Sequence, residues 1–284
     1  MPPCLKLLVK PNVSIYEVRI LLVGCGKMGE SLVGGWFAKG IRTENICVVE
    51  PNRKLEIAKK YNINVVPSIE DISNNYIPQI VVFAVKPQAM DLVCPPYSVF
   101  KHTKTVFVSI AAGRTIEFLE NNLGKNVAII RVMPNTPAAI GCGISVACGN
   151  KLVTVEQRKI CLDLLAAVGE SVWLEEENLL DPVTAVSGSG PAYVFLLMEA
   201  LASAGINAGL DPNLAEKLAK VTVAGSGKLA VQSSDSFKTL RENVTSPGGT
   251  TAAAVEVLLG ENGMQNLIEN AVKAATARSR ELAG

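Results

Sequence analysis

The chain has 284 residues, of which 49% are apolar and 19% charged, and its formal net charge is +1. That length holds one large domain or two ordinary ones, and that composition suits a globular protein with a well-filled core. A charge so near zero gives no electrostatic footing for nucleic acid or an anionic membrane surface, and no uninterrupted apolar run is long enough to span a bilayer.

In chain order, residues 1–17 are an N-terminal arm of unknown role. Its apolar patch, Leu5, Leu7, Leu8 and Val9, is bracketed by Lys6 and Lys10, with no small-residue cleavage site after it. It does not read as a signal peptide; an extra strand, a disordered arm or a misplaced start would each fit. From residue 18 the pattern alternates. Val18–Val23 predicts a strand and Lys27–Lys39 a helix stopped at Gly40. Asn45–Glu50 predicts a strand, Arg53–Tyr61 a helix and Ile63–Val66 a short strand. Gln79–Val85, Thr105–Ala111 and Val127–Met133 are nearly all apolar, as strands covered on both faces should be. Gly143–Ala147 and Ser171–Leu174 predict two more strands. Between them a helix starts with the capping box Thr154-x-x-Gln157 and ends at Gly169. Strands alternating with helices imply an α/β fold with a parallel, doubly wound, Rossmann-like sheet over 18–178.

After about residue 180 strands stop. Pro191 marks a helix start, and Ala192–Ala204 carries one charge, Glu199. A helix apolar nearly all round must be buried on all sides, and so small a domain has little interior for it. A second subunit is the expected cover. Asp211-Pro212 caps a helix running to about Gln232, and Ala252–Leu259 predicts another. The last helix places Met264, Leu267, Ile268, Ala271, Val272 and Ala275 on one stripe. Residues 179–284 are therefore expected to be an all-helical domain for substrate binding and dimerisation.

The chemistry centres on Gly24-Cys25-Gly26-Lys27-Met28-Gly29, lying between the first strand and the first helix. In that context Gly24 permits a tight turn, Gly26 lets a pyrophosphate approach the backbone, and Gly29 lets helix and strand pack closely. The N–H groups of the helix start then face the phosphates. Glu50 ends the next strand, where an acid holds the ribose hydroxyls of NADH, yet Asn52 and Arg53 follow, and an arginine there accepts the 2′-phosphate of NADPH. The two cues conflict. Further short turns, Lys86-Pro87, Ala111-Ala112-Gly113 and Met133-Pro134-Asn135-Thr136-Pro137, follow the later strands and form the expected walls of a cofactor crevice.

Ser246-Pro247-Gly248-Gly249-Thr250-Thr251 is a second candidate site, a backbone cradle at a helix start suited to a carboxylate, with three hydroxyls added. Ser187-Gly188-Ser189-Gly190-Pro191-Ala192-Tyr193 precedes the apolar helix, and its glycines fit close helix or subunit approach. Neither serine has a histidine to activate it, since the only histidine, His102, sits in a polar connection read as surface. One histidine also argues against a Ser-His-Asp triad and a histidine-based zinc site, and no metal is expected. The seven cysteines form no C-x-x-C pair and read as reduced, buried thiols of a cytoplasmic protein. Hydride transfer asks the protein mainly for positioning. A carbonyl acceptor would need an acid for the developing alkoxide, whereas a protonated imine brings its own charge. The absence of an acid–base residue from these motifs fits imine reduction better.

Taken in order, the glycine loop, Ala84-Val85-Lys86-Pro87, Ala111-Ala112-Gly113, Met133–Pro137, Ser187–Tyr193 and Asn243–Thr251 resemble the pyrroline-5-carboxylate reductase family, over roughly Val18 to Leu282. The resemblance implies reduction of 1-pyrroline-5-carboxylate to L-proline, the last step of proline biosynthesis, by NADPH or NADH. It implies cofactor contacts from Gly24, Gly26, Lys27, Met28, Gly29, Glu50, Asn52, Arg53, Ala84, Val85, Lys86, Pro87 and Ala112. It places the substrate carboxylate on the Ser246–Gly249 backbone beside Thr250, gives Thr251 the ring nitrogen as the catalytic contact, and sets Asn243 near the nicotinamide. It also implies an intertwined homodimer that can assemble to a decamer. Ser236-Phe237 stands where the family often has His-Pro, so a contact from that turn does not carry over. The rivals are a reductase of another cyclic imine, a β-hydroxyacid dehydrogenase-like enzyme and a non-catalytic dinucleotide sensor. The second would place a lysine early in the long apolar helix, and Ala192–Ala204 has none.

Overall fold

The computed structural model describes residues 15–51 and 56–283; the arm up to residue 14 and the Asn52-Arg53 pair lie outside the described residues. The first part of the chain runs β1 (Ile20–Val23), α1 (Lys27–Ala38), β2 (Ile46–Val49), α2 (Glu56–Tyr61), β3 (Asn64–Val66), β4 (Ile80–Phe83), α3 (Met90–Val93), β5 (Val106–Ser109), α4 (Ile116–Leu123), β6 (Ala128–Met133), β7 (Gly143–Gly149), α5 (Val155–Leu165), β8 (Gly169–Trp173) and α6 (Leu180–Val183). The strands form one eight-stranded sheet in the order β3-β2-β1-β4-β5-β6-β7-β8.

Alternating side chains explain why the strands read as unbroken apolar runs. Ile20, Leu22, Val82 and Val108 pack on one face with Leu32 and Trp36 of α1 and Ile160 and Leu164 of α5. Leu21, Val81, Phe83 and Phe107 pack on the other with Met90 and with Leu119 and Leu123 of α4. The sheet is thus covered on both faces. The buried Trp36 indole donates to the Leu164 carbonyl at 3.1 Å, which satisfies its one polar atom.

Two expectations need correction. The sheet is not wholly parallel, because β6 and β7 pair antiparallel. The chain between them is a single helical turn, Thr136–Ile140, ended by Gly141 at φ 72°. Asn135 Oδ1 accepts the Ile144 N–H at 2.9 Å and anchors the start of β7. A reversal that short cannot form a crossover, so the next strand must run antiparallel. Gly169 does not end the capped helix either. Thr154 and Gln157 make the reciprocal capping box, but α5 stops at Leu165, and Gly169 opens β8 at φ +145°.

By contacts the chain divides into residues up to 183 with 279–284, and residues 184–278. The expected boundary at 178/179 lies slightly earlier, and the last turns of the chain count with the first unit. There Ser279 donates to Asp181 at 2.7 Å, and the Leu282 backbone lies against Gly113, which holds φ +71°.

The second unit is helical: α7 (Gly190–Asn207), α8 (Pro212–Gln232), α9 (Phe237–Asn243), α10 (Thr250–Leu258) and α11 (Met264–Ala283), whose end belongs to the first unit. A π-helical turn, Thr184–Gly188, precedes α7 and closes with Ser189 N–H donating to the Thr184 carbonyl at 2.8 Å. Asp211 caps α8 by accepting from the N–H groups of Asn213 and Leu214. The turn between α7 and α8 brings them together at Gly205, where an added Cβ would sit 3.3 Å from Ala215. Within 184–278 only Ala185, Ala215 and Ala219 are buried among the described residues. The apolar faces of α7 and α11 are uncovered within one chain.

One helical stretch bears on the question of membranes. The continuous helical stretch Glu177–Asn207, 31 residues with a mean hydropathy of 1.3 in its most apolar window, is by length and composition able to cross a bilayer. In the sequence Pro182, Gly188, Gly190 and Pro191 break the apolar run without ending the helical path.

Candidate active site

The first candidate site lies where the strand order reverses, beyond the carboxyl ends of β1 and its neighbours β2 and β4. Gly24 turns the chain at φ +81° and donates its N–H to the Val49 carbonyl at 2.8 Å. A Cβ there would meet Val85 Cγ1 at 2.5 Å and the Ala84 carbonyl oxygen at 3.0 Å, so only glycine fits between the loops after β1 and β4. A Cβ on Gly29 would lie 3.1 Å from the Gly24 carbonyl oxygen, as close helix–strand packing requires. Gly26 differs: nothing lies within 4 Å of its virtual Cβ. It is the N-cap of α1, in extended conformation and without a side-chain cap. The N–H groups of Lys27, Met28 and Gly29 therefore open α1 without intrahelical partners. Open space, uncapped amides and a helix N-terminus fit a dinucleotide pyrophosphate.

Glu50 serves the loop as well. Its Oε2 accepts the Cys25 N–H at 3.0 Å, tying the end of β2 to the glycine turn. Burial, then Glu30, then Glu50 push the Cys25 thiol up to about 12, so it stays protonated. Lys86 is exposed, Val85 and Pro87 are half-buried, and Ala112 follows β5, the strand beside β4. The structure thus gathers Gly24–Gly29, Glu50 and Ala84–Pro87. Arg114 escaped the sequence reading. Its Nε donates to the Pro87 carbonyl at 2.9 Å, its Nη2 pairs with Asp91 at 2.5 Å, and its guanidinium lies 4.5 Å over the Phe118 ring. It directly follows the Ala111-Ala112-Gly113 motif, the one signal that could have drawn attention to it. A groove of about 1060 Å³ opens at the opposite ends of the strands, lined by Arg19, Gln79, Lys101 and Thr105 among others, and none of the expected site residues lines it.

The second candidate site lies in the helical unit. α9 starts at Ser236, whose side chain accepts the Thr239 N–H at 3.1 Å, so the Ser236-Phe237 turn is occupied by a helix cap. α9 ends at Asn243, and a turn leads to α10. Gly248 takes φ +71° with nothing within 4 Å of its virtual Cβ, and Gly249 is the N-cap of α10 without a side-chain cap. The Gly249 N–H donates back to the Ser246 carbonyl at 3.0 Å. That amide, expected in an anion cradle, closes the turn instead, and the N–H groups of Thr250, Thr251 and Ala252 open the helix. Asn243, Ser246 and Thr250 are exposed and Thr251 half-buried. Ser187 and Ser189 belong to the π-turn and the N-cap that lead into α7, where Pro191 occupies the first turn.

Comparison with known proteins agrees with this arrangement. Residues 177–282 match the family model described as pyrroline-5-carboxylate reductase dimerisation, and residues 19–113 match NADP oxidoreductase coenzyme F420-dependent. Pyrroline-5-carboxylate reductase of Pseudomonas aeruginosa is 41% identical over 93% of this chain and 97% of its own length. The Arabidopsis thaliana enzyme of that name is 38% identical over 93% and 95%. The solved pyrroline-5-carboxylate reductase of Coxiella burnetii superposes with a TM-score of 0.87 at 35% identity, covering 94% of this chain and 99% of that one. The Plasmodium falciparum pyrroline carboxylate reductase, solved with NADP bound, gives 0.83 at 31% identity, covering 95% and 100%. At 41% identity to a pyrroline-5-carboxylate reductase over nearly the whole of both chains, the chain belongs to the pyrroline-5-carboxylate reductase family.

Proposed function

We propose that the chain reduces 1-pyrroline-5-carboxylate to L-proline. The observation that carries this reading is the pair of uncapped helix starts, Gly26 at α1 and Gly249 at α10, in a chain that matches named reductases over nearly its whole length. When bound, NADPH or NADH supplies a hydride to the imine carbon; the C=N π pair becomes the nitrogen lone pair, and the protonated imine becomes a secondary amine. Each unit has its task. The first binds the dinucleotide through Gly24–Gly29, Glu50, Ala84–Pro87 and Ala112; Asn52 and Arg53 are further cofactor contacts, with Arg53 the candidate for the 2′-phosphate of NADPH. The second holds the substrate carboxylate at the Gly248 backbone, beside the Ser246 hydroxyl, and on the N–H groups of Thr250, Thr251 and Ala252 that open α10. Thr251 hydrogen-bonds the ring nitrogen, and Asn243 stands near the nicotinamide. No histidine is needed, because the substrate carries its own positive charge.

The apolar faces of the second unit support a homodimer, and the family resemblance extends that to dimers able to assemble into a decamer. Such burial covers the Glu177–Asn207 stretch with protein rather than lipid, in keeping with a cytoplasmic enzyme.

The test is oxidation of NADPH and NADH by the purified protein with 1-pyrroline-5-carboxylate. Turnover with that substrate is expected. Dinucleotide binding without turnover would overturn the reading in favour of another imine substrate or a sensor. Thr251→Ala should lower kcat by roughly tenfold to a hundredfold, the loss of one hydrogen bond to a charged group, with dinucleotide affinity retained. Unchanged kinetics would remove Thr251 from the reaction.

A further inference from the structure

The loop after β4 is held at three points. Its near end is fixed where the Ala84 N–H donates to the Val23 carbonyl at 2.8 Å. Its flank presses on Gly24, which has no room for a Cβ beside Val85. Its far end, the Pro87 carbonyl, is held by Arg114. That third hold reaches across from the loop after β5. Arg114 has little freedom of its own: Asp91 takes one arm of the fork, Phe118 supports the plane, and the side chain is only 23% exposed. The grip depends on fork geometry, with Nε aimed at one acceptor and Nη2 at another. A lysine offers a single point of charge and cannot bond both. Gly113 at φ +71°, backed by Leu282, sets the direction from which the arginine enters.

We propose that Arg114 is a positioning residue for nicotinamide dinucleotide binding: it locks the Ala84–Pro87 loop in the place where the glycine turn and the β4 loop jointly meet the dinucleotide. The inference rests on the dinucleotide reading of this loop and not on the identity of the imine. Arg114→Ala frees the Pro87 end of the loop. KM for NADPH and for NADH should each rise by roughly tenfold to a hundredfold, the range for misplacing a binding element by about 1 Å. KM for the imine substrate and kcat should stay within about twofold. Arg114→Lys should recover part of the loss. Asp91→Asn, which keeps the Pro87 bond and removes only the ion pair, should cost less than either.

Direct titration of NADPH and NADH against the same variants reads the effect without turnover, so a wrong substrate assignment cannot mask it. Dinucleotide affinity unchanged in Arg114→Ala would overturn the proposal. So would losses shared equally by dinucleotide KM, imine KM and kcat with a lowered Tm, which is the signature of a merely structural residue. Should Arg114→Ala not fold, Arg114→Lys carries the same comparison, and full retention of dinucleotide affinity there would overturn the requirement for the fork.

Discussion

In the first unit Trp36, Phe83 and Phe107 are 1% exposed or less, whereas in the second Phe195, Leu196 and Val257 stand 62%, 63% and 75% exposed. The two units are equally rich in apolar residues and use them in opposite ways. Sheet and helices in the first unit close over one another on both faces, so its core is complete within one chain. The second unit buries little more than two small alanines where α7 meets α8. Contiguous apolar surface on that scale marks an interface between subunits. The lesson is that stability in this chain has two sources: the first unit's is intramolecular, and the second's depends on how much protein is present.

Several substitutions test that contrast. Phe195→Asp puts a charge on an exposed aromatic position of α7 and should have the largest effect. Light scattering should show loss of the oligomer, with turnover falling more than about a hundredfold, since a few aromatic anchors carry most of an interface's energy. A variant of unchanged mass and activity would break the comparison at its root. Phe107→Ala does the reverse. Denaturation should show a loss of about 3–5 kcal/mol, as for other large buried aromatics, while the mass of the native assembly is kept. If the assembly dissociates as readily as with Phe195→Asp, the two sources are not separate.

Alkaline pH gives a third, intermediate test. The cysteines of the described chain all lie in the first unit. Burial pushes the thiols of Cys25, Cys94 and Cys161 up to about 12 and those of Cys47 and Cys148 up to about 11. A raised folded-state value favours the protonated form. The stability it reflects is fully present below the ordinary thiol value of 9.0 and is lost as pH climbs through the folded values. Hydrogen exchange followed from pH 8 upward (about one unit below the thiol range) should therefore show the sheet unit loosening first. Earlier loosening of the helical unit would count against the thiols as the cause. The smallest effect sharpens the contrast most. Gly35→Ala should destabilise by about 1–3 kcal/mol by overpacking, because its Cβ would meet Val168 at 2.5 Å and the Ala167 carbonyl at 2.7 Å. Gly225 and Gly227 in α8 have nothing within 4 Å. In a lone chain alanine there should gain up to about 1 kcal/mol of helix propensity. A loss instead, measured on the assembled protein, would mean that a neighbouring subunit passes close to that face.

The sheet was legible because a strand covered on both faces must be apolar throughout, and Gln79–Val85 or Val127–Met133 admits few other readings. Strand direction was not legible. Nothing in Gly143–Gly149 announces an antiparallel neighbour; that is settled by Asn135 and Gly141 making the preceding reversal short. Gly169 misled because a glycine after a helix and one opening a strand look alike, and only its φ tells them apart. The glycine turn and the Ser246–Thr251 stretch were visible through residue types that have few other uses. Arg114 and the bond from Cys25 to Glu50 were invisible, since each joins residues far apart in sequence through a backbone group, and backbone groups leave no trace in residue identity.

The last helix begins in one unit and finishes in the other, so the helical unit is an insert: the chain leaves the sheet unit at Thr184 and returns to it after Arg278. Modularity is correspondingly limited. No single cut in the chain, and no single stop in its gene, yields the sheet unit whole. A fragment ending before Ser279 strips Asp181 of its hydrogen-bond donor and Gly113 of the backbone that covers it. The two parts are made together, and an evolutionary exchange of the helical insert needs two joints rather than one.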